Sequence, residues 1–178
     1  VASHGANGAK ILFLGGYPLS ADINSGTALT GIFENAITQY LRPHGLGVNE
    51  VYRALFIREK LSYSGTSSPK IRKAVLETDV DQYEGLLLQD LMYLRPNIVV
   101  PLDDIALGAV FPHIRTITKP KNRKHWIYCY RGSVIPLRAD FQQYLPSPVR
   151  VIPTISPQIL INDPSSKAIV GLDYERIT

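Results

Sequence analysis

Short apolar runs alternate along this chain with segments whose apolar residues step by three and four. Ile11-Leu12-Phe13-Leu14 is one continuous run closed by Gly15-Gly16, the pattern of a buried strand that ends in a tight turn. A loop rich in Ser, Asn and Gly leads to a predicted helix over 31–41, where Ile32, Phe33, Ala36, Ile37 and Tyr40 fall at helical spacing. Residues 51–57 read as a second strand. Ser68-Pro69 reads as an N-cap followed by proline at the first helical position. The strongest helical pattern runs over 80–94, with Tyr83, Leu86, Leu87, Asp90, Leu91 and Leu94 in step and Asp90 the one polar member. Residues 97–100 read as a third strand, and Asp103 or Asp104 caps a helix that reaches about Phe111. Residues 126–130 and 134–137 are expected as short strands. The fourth core strand, 149–152, runs into Pro153-Thr154-Ile155-Ser156-Pro157, and a helix over 168–177 closes the chain.

Alternating strands and helices predict an α/β sandwich around a mostly parallel sheet. Ligands of such sheets gather outside the carboxyl ends of the strands, which directs attention to the loops after Leu14, Ile57 and Ile152. Residues 1–9 are small and polar and are expected to be a flexible lead-in, with 10–178 as a single domain.

The 178 residues, 45% hydrophobic and 19% charged, suffice for one domain with a real core and argue against global disorder. No apolar run approaches the roughly 20 residues that cross a bilayer, and no signal-peptide pattern is present, so an intracellular domain without membrane contact is expected. Cys129 stands alone, which excludes a disulfide framework, a CxxC zinc site and a cysteine-held cluster. Within its apolar segment it is expected as a buried small hydrophobe. His4, His44, His113 and His125 lack metal-ligand spacing, and no cofactor is implied.

The net charge of +4 is unevenly placed. Between Asp104 and Asp140 there is no acidic residue, while Arg115, Lys119, Lys121, Arg123, Lys124, Arg131 and Arg138 contribute +7, leaving −3 for the rest. Either this is a solvated surface loop, or it is an electrostatic footprint for phosphates.

Several loops together resemble the uracil-DNA glycosylase superfamily, closest to its family 4 branch. Gly15-Gly16-Tyr17-Pro18, followed by Gly26 and Gly31, resembles the first motif at its spacing. Val51-Tyr52 resembles the strand leading to the base-reading Asn. Pro96-Asn97-Ile98-Val99-Val100 with Ala106 resembles the next strand and helix. The run from Val151 to Pro157 resembles the Pro-Thr-x-His-Pro-Ser motif, and Asp173 sits in the closing helix. The resemblance spans about 10–177 and implies a three-layer α/β/α sandwich with a central, mostly parallel four-stranded sheet. It also implies an enzyme that flips a base into a pocket and hydrolyses its glycosidic bond.

The chemistry departs from that pattern. The family's water-orienting group would fall at Gly16 or Tyr17, its base-stacking aromatic at Leu29, its pyrimidine-reading Asn near Leu55 and its catalytic His at Ser156. The cluster cysteines are absent too. One positioned acid–base group contributes about 10²–10⁴ in rate, and one donor to a developing anion about 10²–10³. Uracil excision is therefore expected to be lost. Asp22 is the remaining carboxylate of the first loop; it either orients a water or closes an Asx-type turn on its own backbone, and the turn is favoured. Ser156 as a nucleophile needs a base that no matched position supplies, which favours a cap or turn. Tyr17 either stacks on a base or wedges the loop.

What survives is the DNA-handling part. Lys119, Lys121, Arg123, Lys124 and His125 supply phosphate-pairing charge beside Trp126, and Ser156-Pro157-Gln158 falls where the family's backbone-pinching loop sits. The leading expectation is a DNA-binding domain without uracil excision, a targeting or scaffolding module of a replication or repair protein, viral ones included. An active glycosylase for a modified pyrimidine is the alternative, and a protein-interaction domain using some of its 10 Tyr is the third.

Overall fold

The structure is a computed structural model in which residues 1–60, 81–111, 126–156 and 164–178 are described. Its strands are β1 (His4–Gly5), β2 (Ile11–Gly15), β3 (Tyr52–Leu55), β4 (Ile98–Pro101), β5 (Ile135–Pro136) and β6 (Arg150–Val151). Its α-helices among the described residues are α1 (Ser20–Ser25), α2 (Ile32–Leu41), α3 (Asp81–Leu94), α4 (Asp104–Val110), α5 (Trp126–Tyr130), α6 (Ala139–Gln142) and α7 (Lys167–Ile177).

The apolar run at Ile11 forms the inner strand β2, paired in parallel with β3 on one side and β4 on the other. β6 continues in parallel beside β4. β1 and β5 add antiparallel edges on β3 and β6, giving the order β1-β3-β2-β4-β6-β5. The expected four-stranded sheet is thus corrected to a six-stranded mixed one. The two added strands are two residues each, too short to leave a periodic pattern.

Period-two alternation turns successive residues of β2 to opposite faces, and both faces are packed. Leu12 and Leu14 join Val99, Val151, α3 residues Tyr83, Leu87, Leu91 and Leu94, and Ala106, Leu107 and Val110 of α4. Phe13 joins Ile98, Val100 and Ile152 with Phe33, Ile37 and Leu41 of α2 and Val170, Tyr174 and Ile177 of α7. Each fully buried apolar side chain of this size stabilises the fold by about 1.5–3 kcal/mol, which explains why these runs lack polar interruptions.

Three local expectations are corrected. Residues 20–25 are helical rather than loop, because the Asp22 carboxylate accepts the Leu19 N–H at 2.8 Å and closes the first turn. Residues 126–130 form α5 rather than a strand. The Asp104 carboxylate accepts the Ile127 N–H at 2.8 Å there, and Ile127 alone is buried. Cys129 consequently faces solvent instead of the core. Residues 1–9, expected as a lead-in, supply β1, and the Ala2 N–H donates to the Gly26 carbonyl. The Ser68-Pro69 helix lies outside the described residues.

Among the described residues, no helix is long and apolar enough to cross a membrane, and no three His, Cys, Asp or Glu side chains gather as a metal site.

Candidate functional site

The carboxyl end of β2 runs into Gly15-Gly16-Tyr17-Pro18, and Leu29 and Leu55 approach it there. A side-chain carbon on Gly15 would lie 2.8 Å from a methyl of Leu29 and 2.8 Å from a methyl of Leu55. Both leucines therefore crowd the glycine, and both are buried, Leu29 at 0% exposure and Leu55 at 2%. Leu29 is held in the left-handed backbone region at φ 53°, a conformation that costs a non-glycine residue about 1–2 kcal/mol. The Leu29 carbonyl accepts from the buried Arg53 guanidinium at 3.3 Å, which helps to fix it there.

Gly16 makes a different close approach. Its N–H donates to Asp103 Oδ2 at 2.7 Å, and an added side-chain carbon would sit 2.7 Å from Ile105 Cβ. Asp103 Oδ1 accepts the Ile105 and Ala106 N–H groups, both at 2.9 Å, so it caps α4 while holding the β2 turn. Burial pushes the Asp103 carboxyl up, and the N–H donors of Ala106, Gly16 and Ile105 oppose that. Pro18 is buried, and Tyr17 is half-buried against the cluster containing Leu12 and Leu14.

Asp22 is committed to its own loop. Beyond Leu19, it accepts the Thr30 N–H at 2.8 Å and the Thr30 hydroxyl at 3.1 Å, and it is 1% exposed. A carboxylate with three local donors, buried at 1% exposure, clamps the loop between α1 and α2. Ser156 is buried just beyond β6. Lys119, Lys121, Arg123, Lys124, His125, Pro157 and Gln158 lie outside the described residues. Trp126 opens α5 and is half-buried.

The sequence reading missed a buried polar cluster behind this end of the sheet. The Thr154 hydroxyl donates to Asp173 Oδ2 at 3.0 Å, Arg131 approaches Asp173 Oδ1 at 3.4 Å, and Arg176 donates to the Gly132 carbonyl. Burial pushes the Asp173 carboxyl up, against the pull of Arg131, Thr154 and Arg176. The signal was present: Val170, Asp173, Tyr174 and Ile177 share one helical face, so an acid stands at a core position. Arg138 is likewise occupied, 2.6 Å from Asp140, 3.2 Å from Glu84 and over the Phe141 ring. Two of the seven cations of the basic stretch thus serve internal pairs.

An open groove of about 520 Å³ is lined by Asn35, Thr38, Gln39, Arg42 and Pro43, none of which belongs to these loops. No protein-family model matches the chain, and no curated protein matches it significantly.

Proposed function

We propose that this chain is a uracil-DNA glycosylase-like domain that binds DNA and does not excise uracil, serving as a targeting or scaffolding module of a replication or repair protein. The observation that carries the loss of excision is that the buried side chains of Leu29 and Leu55 both crowd Gly15, at the positions where the resemblance puts the base-reading groups. Selection of a base needs buried groups that hydrogen-bond it, and two leucines offer none. The commitment of both Asp22 oxygens to Leu19 and Thr30 supports the same reading. A four-strand parallel core packed on both faces supports the finer assignment to a three-layer α/β/α sandwich of the glycosylase type.

DNA binding rests on charge. With Arg131 and Arg138 paired internally, the surplus of the basic stretch belongs to residues 112–125, where Arg115, Lys119, Lys121, Arg123 and Lys124 give +5 without an acid. A footprint of this kind releases counterions from DNA and steers association.

The test has two arms. Fluorescence anisotropy with labelled oligonucleotides measures affinity for the protein and for the combined Lys121→Glu, Arg123→Glu, Lys124→Glu variant. The variant is expected to lose binding; unchanged affinity removes DNA contact from this segment. In the second arm, uracil-containing strands are incubated with excess protein and treated with alkali. Intact strands are expected, and abasic-site cleavage above a buffer control would falsify the loss of excision.

A further inference from the structure

The edge strand β1 is fastened to the sheet through a histidine that faces a buried arginine. In the β1–β3 pairing His4 stands directly opposite Arg53, and its Nε2 lies against the Arg53 guanidinium. A guanidinium has donors only, so Nε2 must accept there and carries no proton. The other ring nitrogen, Nδ1, is buried and has no hydrogen-bond partner among the described residues. A protonated imidazole needs an acceptor at each nitrogen, and this position offers one of them a cation and the other nothing. Like charges directly opposite each other on paired strands are destabilising as well.

Which of two such cations gives way follows from how each is held. Arg53 is 3% exposed, lies 3.4 Å from Glu34 of α2 and donates to the Leu29 carbonyl at 3.3 Å, with the Asp22 charge in support. His4 is half-buried on an edge strand of two residues. The chain before it is tied down by isolated bonds. The Ala2 N–H donates to the Gly26 carbonyl at 2.8 Å, the Ala28 N–H to the Ala2 carbonyl at 3.0 Å, and the Ser3 hydroxyl to Asp90 at 3.0 Å. An edge held this lightly opens far more readily than core strands.

The neighbouring charges do not reverse the outcome. Glu34 favours a proton on His4, but more weakly than burial and Arg53 oppose it. Glu50, on the 3-10 turn Val48–Glu50 packed against β1, accepts the Gly47 N–H at 2.6 Å. Asp90 of α3 is paired with Arg58 at 2.6 Å and holds Ser3. Tyr52 lies opposite Gly5, and burial pushes its phenol above its ordinary 10, so it stays neutral in mild acid.

We infer that β1 is an acid-released latch: protonation of His4 detaches residues 1–5 from β3 and from segment 26–28 while the four parallel strands stay paired. β3 then becomes the edge of the sheet. Once detached, the imidazole titrates near its ordinary 6.5, whereas in place it is held lower. Protons therefore bind the detached form first, and release sets in as pH falls below about 6.5.

Amide exchange followed by NMR, corrected for the intrinsic pH dependence of exchange, reads this residue by residue. The Ala28 N–H remains on the body of the protein and loses its acceptor when the segment leaves. Its protection, with that of Ala2, is expected to fall roughly ten-fold or more between about pH 7.5 and about pH 5, while β2 and β4 keep theirs. The His4 imidazole, assigned by its absence in His4→Gln, should titrate with the same midpoint. Glutamine takes up no proton, so the variant should show equal protection at both pH values. Titration of His4 without loss at Ala28 means that the ring swings out alone, and overturns the latch. Loss at β2 and β4 in step with Ala28 overturns it in favour of global acid unfolding. Loss at the same pH in His4→Gln assigns the release to another group, Asp90 first. Should the variant fail to hold β1 at neutral pH, the two midpoints in the parent decide, and the latch stands only if they coincide.

Discussion

Gly16 shows how a single missing side chain can hold two elements together. The space a side-chain carbon would take lies 2.7 Å from Ile105 Cβ, and the Gly16 N–H is one of three donors to Asp103. Gly16→Ala must push α4 away and weaken its cap, at a cost of about 2–4 kcal/mol from overpacking and cap loss together. A urea midpoint unchanged from the parent would show that the turn adapts. Tyr174 predicts the opposite sign. Its ring stacks between Phe13 and Tyr40, while its buried hydroxyl finds no hydrogen-bond partner among the described residues, and burial drives its ionisation far upward. Tyr174→Phe keeps the stacking and removes the orphaned group, so stability should rise by about 1 kcal/mol in the same measurement. Neither role was legible beforehand. Gly15-Gly16 reads as a turn, but the carboxylate that needs the room lies 87 residues away. Asp90 was closer to legible: it stood out as the one polar member of an apolar stripe, and Arg58 holds it at 2.6 Å.

The elements that were legible are those whose own periodicity is long enough to speak. α3 buries Tyr83, Leu87, Leu91 and Leu94 of the face its spacing marked, α2 buries Phe33 and Ile37 but leaves Ile32 exposed, α7 forms where a closing helix was expected, and β2 and β4 follow their apolar runs. α5 was misread because five residues contain barely one helical turn, and its decisive interaction is the distant Asp104 carboxylate. β1 was missed for a similar reason, since a strand of two residues exists only through its partner. That partner also supplies a pH dependence. His4 lies against the buried Arg53 guanidinium, so the imidazole nitrogen facing it must accept and stay unprotonated. Burial first, then Arg53, holds His4 below its ordinary 6.5, with Glu34 opposing. Above about pH 6.5 neither folded nor unfolded His4 carries a proton, and the group contributes no slope. As pH falls below that value, the unfolded chain takes up the proton first and the fold loses stability. His4→Gln should therefore flatten the decline in urea midpoint between about pH 6.5 and 5. Identical slopes in both proteins would take His4 out of the account.

At the scale of the molecule, the net charge of +4 hides a division of labour. Arg53, Arg58, Arg131 and Arg138 are spent on internal partners, each beside a carboxylate within 3.4 Å. Composition alone cannot identify such cations; the sum of +7 over the basic stretch includes Arg131 and Arg138. The apolar surroundings of Gly15 could be anticipated in kind, because Leu29 and Leu55 are apolar in the sequence. That both crowd Gly15 depends on three segments meeting, which no local pattern encodes. The charge division makes a numerical expectation. If only the five cations of 112–125 meet phosphates of a single strand, log K should fall with log salt at a slope no steeper than about −3.5, since each contact contributes about −0.7. Participation of Arg131 and Arg138 would carry the slope to about −4.9 by the same rule and would require their ion pairs to open. Affinity for oligothymidylate measured from low to physiological salt separates the two. A slope near −5 would mean that the pairs with Asp173 and Asp140 give way on binding, and the shallower value that the fold keeps them closed.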